Sequence, residues 1–287
     1  MAEGRYQLAA VRRLNEGLKY FVALAAARGV ICCELSNDLR IRMNRSSHVS
    51  KIIYRRHIAL YRYINDAWIF ADLIEPELQE KALKLRASTS KSKRGYKAPK
   101  KSGWTVSKRL DRDIGQLFLS QSKRGIFETN IVSMVSRTEA FIQDCVATVA
   151  CAYPKKLSIL ADKGGVPIDL VLENEDRNDL IKRFVLLKCE SLMFSKPKDY
   201  LEKTSKVLSV ELEPDIIDAY VEIKASRDIV VHGSGVINKL YLEKSGEQAR
   251  GGLGDELPID REYFKSVVVN LKRLSGDIQK KTEKVFE

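Results

Sequence analysis

The chain has 287 residues, 44% of them hydrophobic, and a formal net charge of +12 at pH 7. This length and apolar content are enough for one large or two ordinary domains with a sizeable core, so the fold needs no disulfide or metal to hold it together. No stretch approaches the roughly 20 apolar residues of a membrane span, and Arg12 and Arg13 interrupt the N-terminus before any signal-like apolar region. We therefore expect a cytoplasmic protein.

Helical periodicity dominates the chain, and no run shows the period-two alternation of a strand, which predicts an all-α protein. A first helix is expected over residues 5–27. Ser46 or Ser47 can cap a second, long helix whose apolar residues recur at spacings of three and four, and Pro76 closes or kinks it. Together these elements predict a helical N-terminal region, residues 1–86.

The positive charge is concentrated in one segment. Residues 81–112 contain twelve Lys and Arg and one acid, so this segment carries +11 of the net charge of +12. Residues 87–104 lack apolar periodicity and are rich in Lys, Ser, Gly and Pro, which is typical of a linker or mobile loop. We therefore predict a basic linker or loop over residues 87–112, followed by a helical domain over residues 113–287.

The C-terminal domain is predicted to consist of helices joined by short connections. Antiparallel helices of this number and size are typical of a bundle. The predicted helices cover residues 111–119, 127–152, 177–194, 198–208, 214–231 and 261–285.

One of these helices places a charged residue on its buried side. In the helix over residues 214–231 the apolar stripe includes Tyr220 and Ile223, and its next position is Arg227. A guanidinium there is costly unless it meets a carboxylate, a ligand or another subunit. His232 follows five residues later, at the end of the helix.

Arg227 and His232 cannot converge on a straight helix. A helix turns by about 100° per residue, so residues five positions apart point about 140° away from each other. The two converge if the helix breaks at Gly233, or if a two-fold axis brings the same segment of a second subunit alongside. General acid–base catalysis commonly needs one group to accept a proton and another to donate one. The segment holds one histidine, and a homodimer supplies two.

The surrounding sequence resembles the signature of the HEPN ribonuclease family. Residues 226–246 (SRDIVVHGSGVINKLYLEKSG) contain an Arg, a polar neighbour, a short apolar run and a His at the helix end, here Arg227, Asp228 and His232. Upstream, SMVSRTEAFIQDCVATVACAYPKKL resembles the first long helix of such domains, and PKDYLEKTSKVL resembles the segment before the signature helix. The resemblance covers about residues 126–287. It implies a HEPN-like antiparallel helical bundle for this part of the chain, and the helical N-terminal region predicted from periodicity is additional to it.

The resemblance also implies a metal-independent endoribonuclease, often a toxin or phage-defence effector, with a composite site at a homodimer interface. His232 would be the general acid or base, Arg227 would stabilise the charge on the phosphorane and orient the phosphate, and Asp228 would orient one of these partners. RNA and a second copy of the chain are the expected partners, with an antitoxin or another defence protein as a further candidate. No cofactor, metal or membrane is expected.

Other interpretations of the same residues stay open. Arg227 and His232 could belong to a structural ion pair with Asp228 or with an acid across the bundle. The domain could be a non-catalytic HEPN-like adaptor that binds RNA or a partner protein. His48 and His57 are expected at surface or boundary positions rather than as metal ligands, because no Cys or acid spacing completes a site around them.

The basic segment likewise has two interpretations. Its cations could bind the RNA backbone while Tyr96 and Trp104 stack on bases, or the segment could be a solvated linker. The RNA-binding interpretation assigns phosphate contacts to Lys91, Lys93, Arg94, Lys97, Lys100 and Lys101.

Overall fold

The computed structural model describes residues 45–160, 166–173, 176–233 and 235–286, so the helix predicted over residues 5–27 lies outside the described residues. The described part is mostly helical, which confirms the predicted fold class at that level. The helices are α1 (Arg45–Arg86), α2 (Asp111–Ser120), α3 (Ile126–Ala152), α4 (Leu157–Leu160), α5 (Ile168–Leu172), α6 (Arg177–Met193), α7 (Pro197–Leu208), α8 (Pro214–His232), α9 (Lys239–Ser245) and α10 (Arg261–Val285). The strands are β1 (Arg94–Pro99) and β2 (Trp104–Arg109).

The long helix α1 continues through Pro76, where the sequence predicts a break or a kink. Proline removes one backbone donor and crowds the preceding turn, but packing on both sides of it holds the helix together. Ala71 and Ala82, on either side of Pro76, are both buried. The helix also begins at Arg45, so Ser46 lies within its first turn instead of capping it.

Helix α1 shares a hydrophobic core with the C-terminal helices. Trp68 of α1 stacks on Phe264 of α10 with 5.7 Å between ring centroids, and Phe264 also contacts Phe127 of α3 at 5.3 Å. Arg261 of α10 forms an ion pair with Glu75 of α1 at 2.6 Å beside this aromatic stack. The described residues from Ser46 onward accordingly belong to one compact unit.

The basic segment contains an antiparallel β-hairpin instead of the predicted unstructured linker or loop. Strands β1 and β2 pair in register, with Pro99 opposite Trp104. In the turn between them the Lys100 N–H donates to the Gly103 carbonyl at 3.1 Å, and Gly103 has a φ of +84°, which favours glycine. The sequence shows no period-two pattern for these strands because both are almost fully exposed. Apolar alternation arises only where one face of a sheet is buried.

A π-helical turn, Gln121–Gly125, joins α2 to α3, so one continuous helix replaces the two that the sequence predicts. Arg124 in this turn forms ion pairs with Glu128 and with Glu256, which lies in the loop before α10. A Cβ added to Gly235 would overlap the Arg124 guanidinium, and Gly235 has a φ of +78°. The π turn therefore braces the loop that follows α8.

Helix α8 packs against α3, α7, α9 and α10. Its predicted apolar stripe is buried at Ile216, Tyr220 and Ile223. The described helices include none with the length and apolar character needed to cross a membrane. Because α8 packs against four other helices, its polar residues lie close to side chains of several elements.

Candidate functional site

The middle of α8 is buried on every side, and it still carries charge. Residues 221–226 are all buried, and they include Glu222 and Lys224. A buried charge is tolerated in a protein only when it is paired or hydrogen-bonded. Two separate networks of polar residues on α8 provide these partners.

In the first network, Glu139 of α3 binds two cations of α8. The Arg227 Nη2 donates to Glu139 Oε2 at 2.8 Å, and the Lys224 Nζ lies 2.7 Å from Oε1. The Glu139 side chain is 7% exposed and that of Arg227 is 18% exposed, so the pair is largely shielded from water. Arg227 thus meets a carboxylate, and this contact is the ion pair across the bundle that the sequence left open as an alternative to a chemical role.

Asp228 extends this network toward the surface. The Arg227 Nη1 lies 3.1 Å from Asp228 Oδ1, and the Lys244 Nζ of α9 lies 3.2 Å from Oδ2. Carboxylates therefore hold the guanidinium at both terminal nitrogens, and Asp228 orients Arg227. The three cations Lys224, Arg227 and Lys244 outnumber the two carboxylates, which leaves a net positive charge that suits an anion such as phosphate.

The two carboxylates hold the Arg227 guanidinium in place but do not use all of its hydrogen-bond donors. Its Nε is buried and has no hydrogen-bond partner among the described residues. A guanidinium carries five donors, and a buried donor without an acceptor costs about 1–3 kcal/mol. The ion pairs therefore orient Arg227 but leave part of its hydrogen-bonding capacity unused.

Two buried tyrosines belong to the same region. Burial raises the pKa of the Tyr200 and Tyr220 hydroxyls well above the usual value, and the negative charge of Glu139 adds to both shifts. The Lys224 ammonium lies over the Tyr200 ring, 5.4 Å from its centroid. Both hydroxyls stay protonated at neutral pH, so neither tyrosine can act as a general base.

His232 differs from Arg227 in every respect that the structure describes. It is the last residue of α8, its side chain is exposed, and it forms no hydrogen bond or ion pair with a described residue. The N–H groups of Gly233 and Gly235 both donate to the Ile229 carbonyl, at 2.8 and 3.2 Å, so the chain turns away directly after the histidine. His232 is therefore accessible to a ligand or to another chain.

Within one chain the structure does not bring Arg227 and His232 together. Helix α8 continues through both residues, so the five-residue separation directs them about 140° apart. Arg227 contacts Glu139 in the interior, whereas His232 is exposed at the helix end. A helix break at Gly233 lies beyond both residues, so it does not bring their side chains together.

The second network surrounds Glu222 and is closed. Glu222 Oε1 accepts hydrogen bonds from Ser226 Oγ at 2.6 Å, Tyr241 OH at 3.0 Å and Arg250 Nε at 2.8 Å, and Oε2 accepts from Tyr263 OH at 2.9 Å. The Arg250 guanidinium also lies 3.2 Å from the Tyr263 ring centroid. Burial, followed by the charge of Glu222, raises the pKa of Tyr263 well above its usual value. This network fastens the loop after α9 to α8.

Sequence reasoning missed the partners of Arg227. Glu139 lies four residues after the buried Val135 and three before the buried Ile142, so it occupies the buried stripe of α3. A carboxylate at such a position indicates a buried cation, and this signal was detectable. Lys244 comes from a different helix, and no spacing in the sequence connects it with Asp228.

Among the predicted RNA-binding residues, Arg94 has an internal partner. Its Nε lies 2.8 Å from Asp111 Oδ1, and its Nη2 donates to Oδ2 at 3.1 Å. The Asp111 side chain is 5% exposed and also accepts a hydrogen bond from Ser88. Arg94 therefore anchors the base of the hairpin to α2. The other predicted residues are exposed and form no ion pair with a described residue: Lys91, Lys93, Lys97, Lys100 and Lys101.

The other two histidines lie on α1 and are half-buried, as the boundary positions predicted for them require. The His57 ring packs against Tyr61 and Phe141, with centroid distances of 5.8 and 6.5 Å. Burial lowers the pKa of His57, and the charge of Lys280 lowers it further. Within the described residues, no group of three or more His, Cys, Asp and Glu side chains is arranged to hold a metal ion.

Comparison of the chain with known protein families, with curated proteins and with solved structures gives no match.

Proposed function

We propose that the chain is a metal-independent endoribonuclease of HEPN type that acts as a homodimer. Arg227, Asp228 and His232 of both copies would surround one scissile phosphodiester. The observation that carries this proposal is the end of α8, where an exposed imidazole, unpaired within the described residues, belongs to the same helix as a guanidinium fixed by two carboxylates. A purely structural ion pair accounts for Arg227 but gives no reason for the placement of His232.

The chemistry follows from two histidines. His232 of one chain accepts the proton of the RNA 2′-hydroxyl as its oxygen attacks phosphorus, and the P–O5′ bond breaks as the new bond forms. His232 of the partner subunit gives a proton to the leaving 5′ oxygen. The products are a 2′,3′-cyclic phosphate and a 5′-hydroxyl, so atoms and charge balance without water or a metal ion.

Arg227 would stabilise the extra negative charge of the phosphorane, for which its planar fork of donors is well suited. Its Nη2 would stay on Glu139, whereas Nη1 would exchange Asp228 for a phosphate oxygen. Lys244 already contacts Asp228 at 3.2 Å and would neutralise the released carboxylate. The two carboxylates therefore have different roles, because Glu139 fixes the guanidinium while Asp228 holds it until the phosphate arrives.

A second candidate function is a non-catalytic HEPN-like adaptor that binds RNA or a partner protein. The observation that favours it is that both terminal nitrogens of Arg227 are already paired with carboxylates. The family resemblance, by contrast, favours a toxin or phage-defence effector in the cytoplasm, controlled by an antitoxin or another defence protein.

A cleavage assay in excess EDTA separates the two candidates. We expect the purified protein to cleave RNA and to leave 2′,3′-cyclic phosphate ends. His232→Ala should lower the rate by about 10²- to 10⁴-fold, the usual contribution of a general acid or base. Because His232 is exposed, the midpoint of thermal unfolding of His232→Ala should match that of the wild type within error. Arg227→Lys keeps a positive charge beside Glu139 and should still lose most of the activity, since lysine lacks the planar fork.

A matched control removes a different histidine. His48→Ala takes an imidazole from α1 and should leave the cleavage rate within about twofold, as expected for a substitution outside the site. Equal cleavage by the wild type and by His232→Ala would contradict the proposal that the chain is an endoribonuclease with His232 in its active site. RNA binding without cleavage by the wild type would select the adaptor.

A further inference from the structure

The β-hairpin has one face that is exposed along its whole length. Directly opposite residues of antiparallel strands share a face, and successive residues of a strand alternate between faces. All residues of this face are exposed, whereas the opposite face includes the half-buried Ala98 and Ser107. The hairpin face, as we define it from the strand register, consists of Gly95, Lys97, Pro99, Trp104, Val106 and Lys108.

The centre of the hairpin face is apolar and accessible. Trp104 is 65% exposed and Val106 is 58% exposed. Gly95 leaves room for Val106, since a Cβ at Gly95 would lie only 2.9 Å from the Val106 Cγ1. Trp68, the other tryptophan of the chain, is stacked on Phe264 in the core. An indole held open to solvent beside further apolar side chains is typical of a binding surface.

Cations flank this apolar strip. Lys97 lies opposite Val106 and Lys108 lies opposite Gly95, while Lys100 belongs to the turn. None of these lysines forms an ion pair with a described residue, although the acid nearest in sequence, Asp111, is paired with Arg94. The hairpin face is therefore positive and attracts a negatively charged partner.

This combination of an open aromatic ring and flanking lysines fits a single-stranded nucleic acid. Bases of a single strand can stack on an aromatic side chain while its phosphates pair with cations. A duplex would satisfy the lysines but keeps its base faces inside the stack, whereas every nucleotide of a single strand offers both a phosphate and an accessible base face. Charge and shape together therefore favour the single strand.

We propose that the hairpin face binds single-stranded RNA, with a base stacked on Trp104 and neighbouring phosphates paired with Lys97, Lys108 and the lysines of the turn. The identity of the strand as RNA rests on the proposed function, and the inference deepens that function by giving the substrate a docking surface outside the α8 site. Arg94 is excluded from this surface, because its pair with Asp111 holds the hairpin on α2.

The binding test uses the full chain with His232→Ala, so that bound RNA is not cleaved. The probe is a short single-stranded oligouridine, and affinity is measured by the anisotropy of a label on the RNA. We expect Trp104→Ala to weaken binding by about 5- to 100-fold, the range measured for loss of one stacked base, while Trp104→Phe keeps most of the affinity. Intrinsic fluorescence of Trp104 should be quenched by the oligomer in a Trp68→Phe background.

The lysines are tested through the dependence of affinity on salt. Lys97→Ala combined with Lys108→Ala should reduce the slope of log affinity against log salt by about 0.7 for each phosphate that no longer pairs with a lysine. The matched control, Lys265→Ala with Lys284→Ala, removes the same charge from two exposed positions of α10, outside the hairpin. That control should retain the quenching of Trp104 and most of the affinity.

Unchanged affinity in Trp104→Ala would overturn the inference. Equal affinity for a duplex of the same length without quenching of Trp104 would overturn it too, since the contact would then be electrostatic only. If the wild-type protein binds the oligomer through Trp104 but never cleaves RNA, the proposed function fails and the hairpin inference stands. If the protein cleaves RNA and the hairpin variants bind the oligomer normally, the hairpin inference fails and the proposed function stands.

Discussion

Helix α8 carries two buried carboxylate networks that differ in how completely they are closed. Glu222 accepts four hydrogen bonds, all from side chains packed around it. The Glu139 network leaves the Arg227 Nε without a described partner and continues through Asp228 to the partly exposed Lys244. A fully satisfied buried network fixes a structure, whereas a partly satisfied one keeps capacity for a ligand. The contrast separates residues that stabilise the fold from those that we place in the chemistry.

The largest stability effect is expected in the closed network. Glu222→Ala should lower the free energy of unfolding by about 3–5 kcal/mol, because it leaves the Arg250 charge and three hydroxyl groups without their acceptor. Urea unfolding measures this loss, and the folded fraction should cleave RNA at close to the normal rate.

The control for that variant is an exposed carboxylate with an exposed partner. Glu80 pairs with Lys84 on the surface of α1, and Glu80→Ala should leave the unfolding free energy unchanged within error. If Glu222→Ala were as stable as this control, the hydrogen bonds of Glu222 would contribute no stability and the comparison of the two networks would fail.

A smaller loss of stability, combined with a loss of activity, is expected when the Glu139 network is changed. Glu139→Gln keeps the size of the side chain but removes the charge between Lys224 and Arg227. We expect a loss of about 2 kcal/mol in the free energy of unfolding. Cleavage should fall by about 10- to 100-fold, because the guanidinium is no longer held in place. Loss of stability with unchanged cleavage would show that this ion pair is structural only.

The smallest effect concerns the packed histidine of α1, which contrasts with the exposed His232. Burial, followed by the charge of Lys280, lowers the pKa of His57 in the folded chain. As pH falls below about 6.5, the unfolded chain binds a proton that folded His57 does not, so stability decreases until the pH reaches the lowered pKa. As the pH is lowered from about 7.5 to about 5.5, the free energy of unfolding measured in urea should therefore decrease less for His57→Gln than for the wild type. An identical decrease in both proteins would contradict this assignment.

Much of the helical structure was predictable, because apolar spacing and chain-breaking residues determine it locally. Helix α10 has the predicted bounds, and α8 ends one residue later than predicted, at His232. The hairpin was not predictable from periodicity, since neither strand buries a face. Helix α9 is too short for its periodicity to stand out, and Asn238 caps it through the Tyr241 N–H.

The candidate site was predictable only in part. The position of Arg227 on a buried stripe required a partner, and Glu139 on the buried stripe of α3 satisfies that requirement. The sequence does not specify which helix faces which, so the pairing of Lys244 with Asp228 needed the fold. The closed network around Glu222 joins parts of the chain up to 41 residues apart, and no local pattern indicates it.

The central claim is that both copies of the chain contribute a histidine to one site, and mixed dimers test it most directly. Differently tagged wild-type and His232→Ala chains are produced together, and the heterodimer is purified through both tags. With one composite site, the account predicts almost no RNA cleavage by the heterodimer in EDTA. Half of the wild-type activity in the heterodimer, or full activity in a protein that is strictly monomeric in solution, would contradict it.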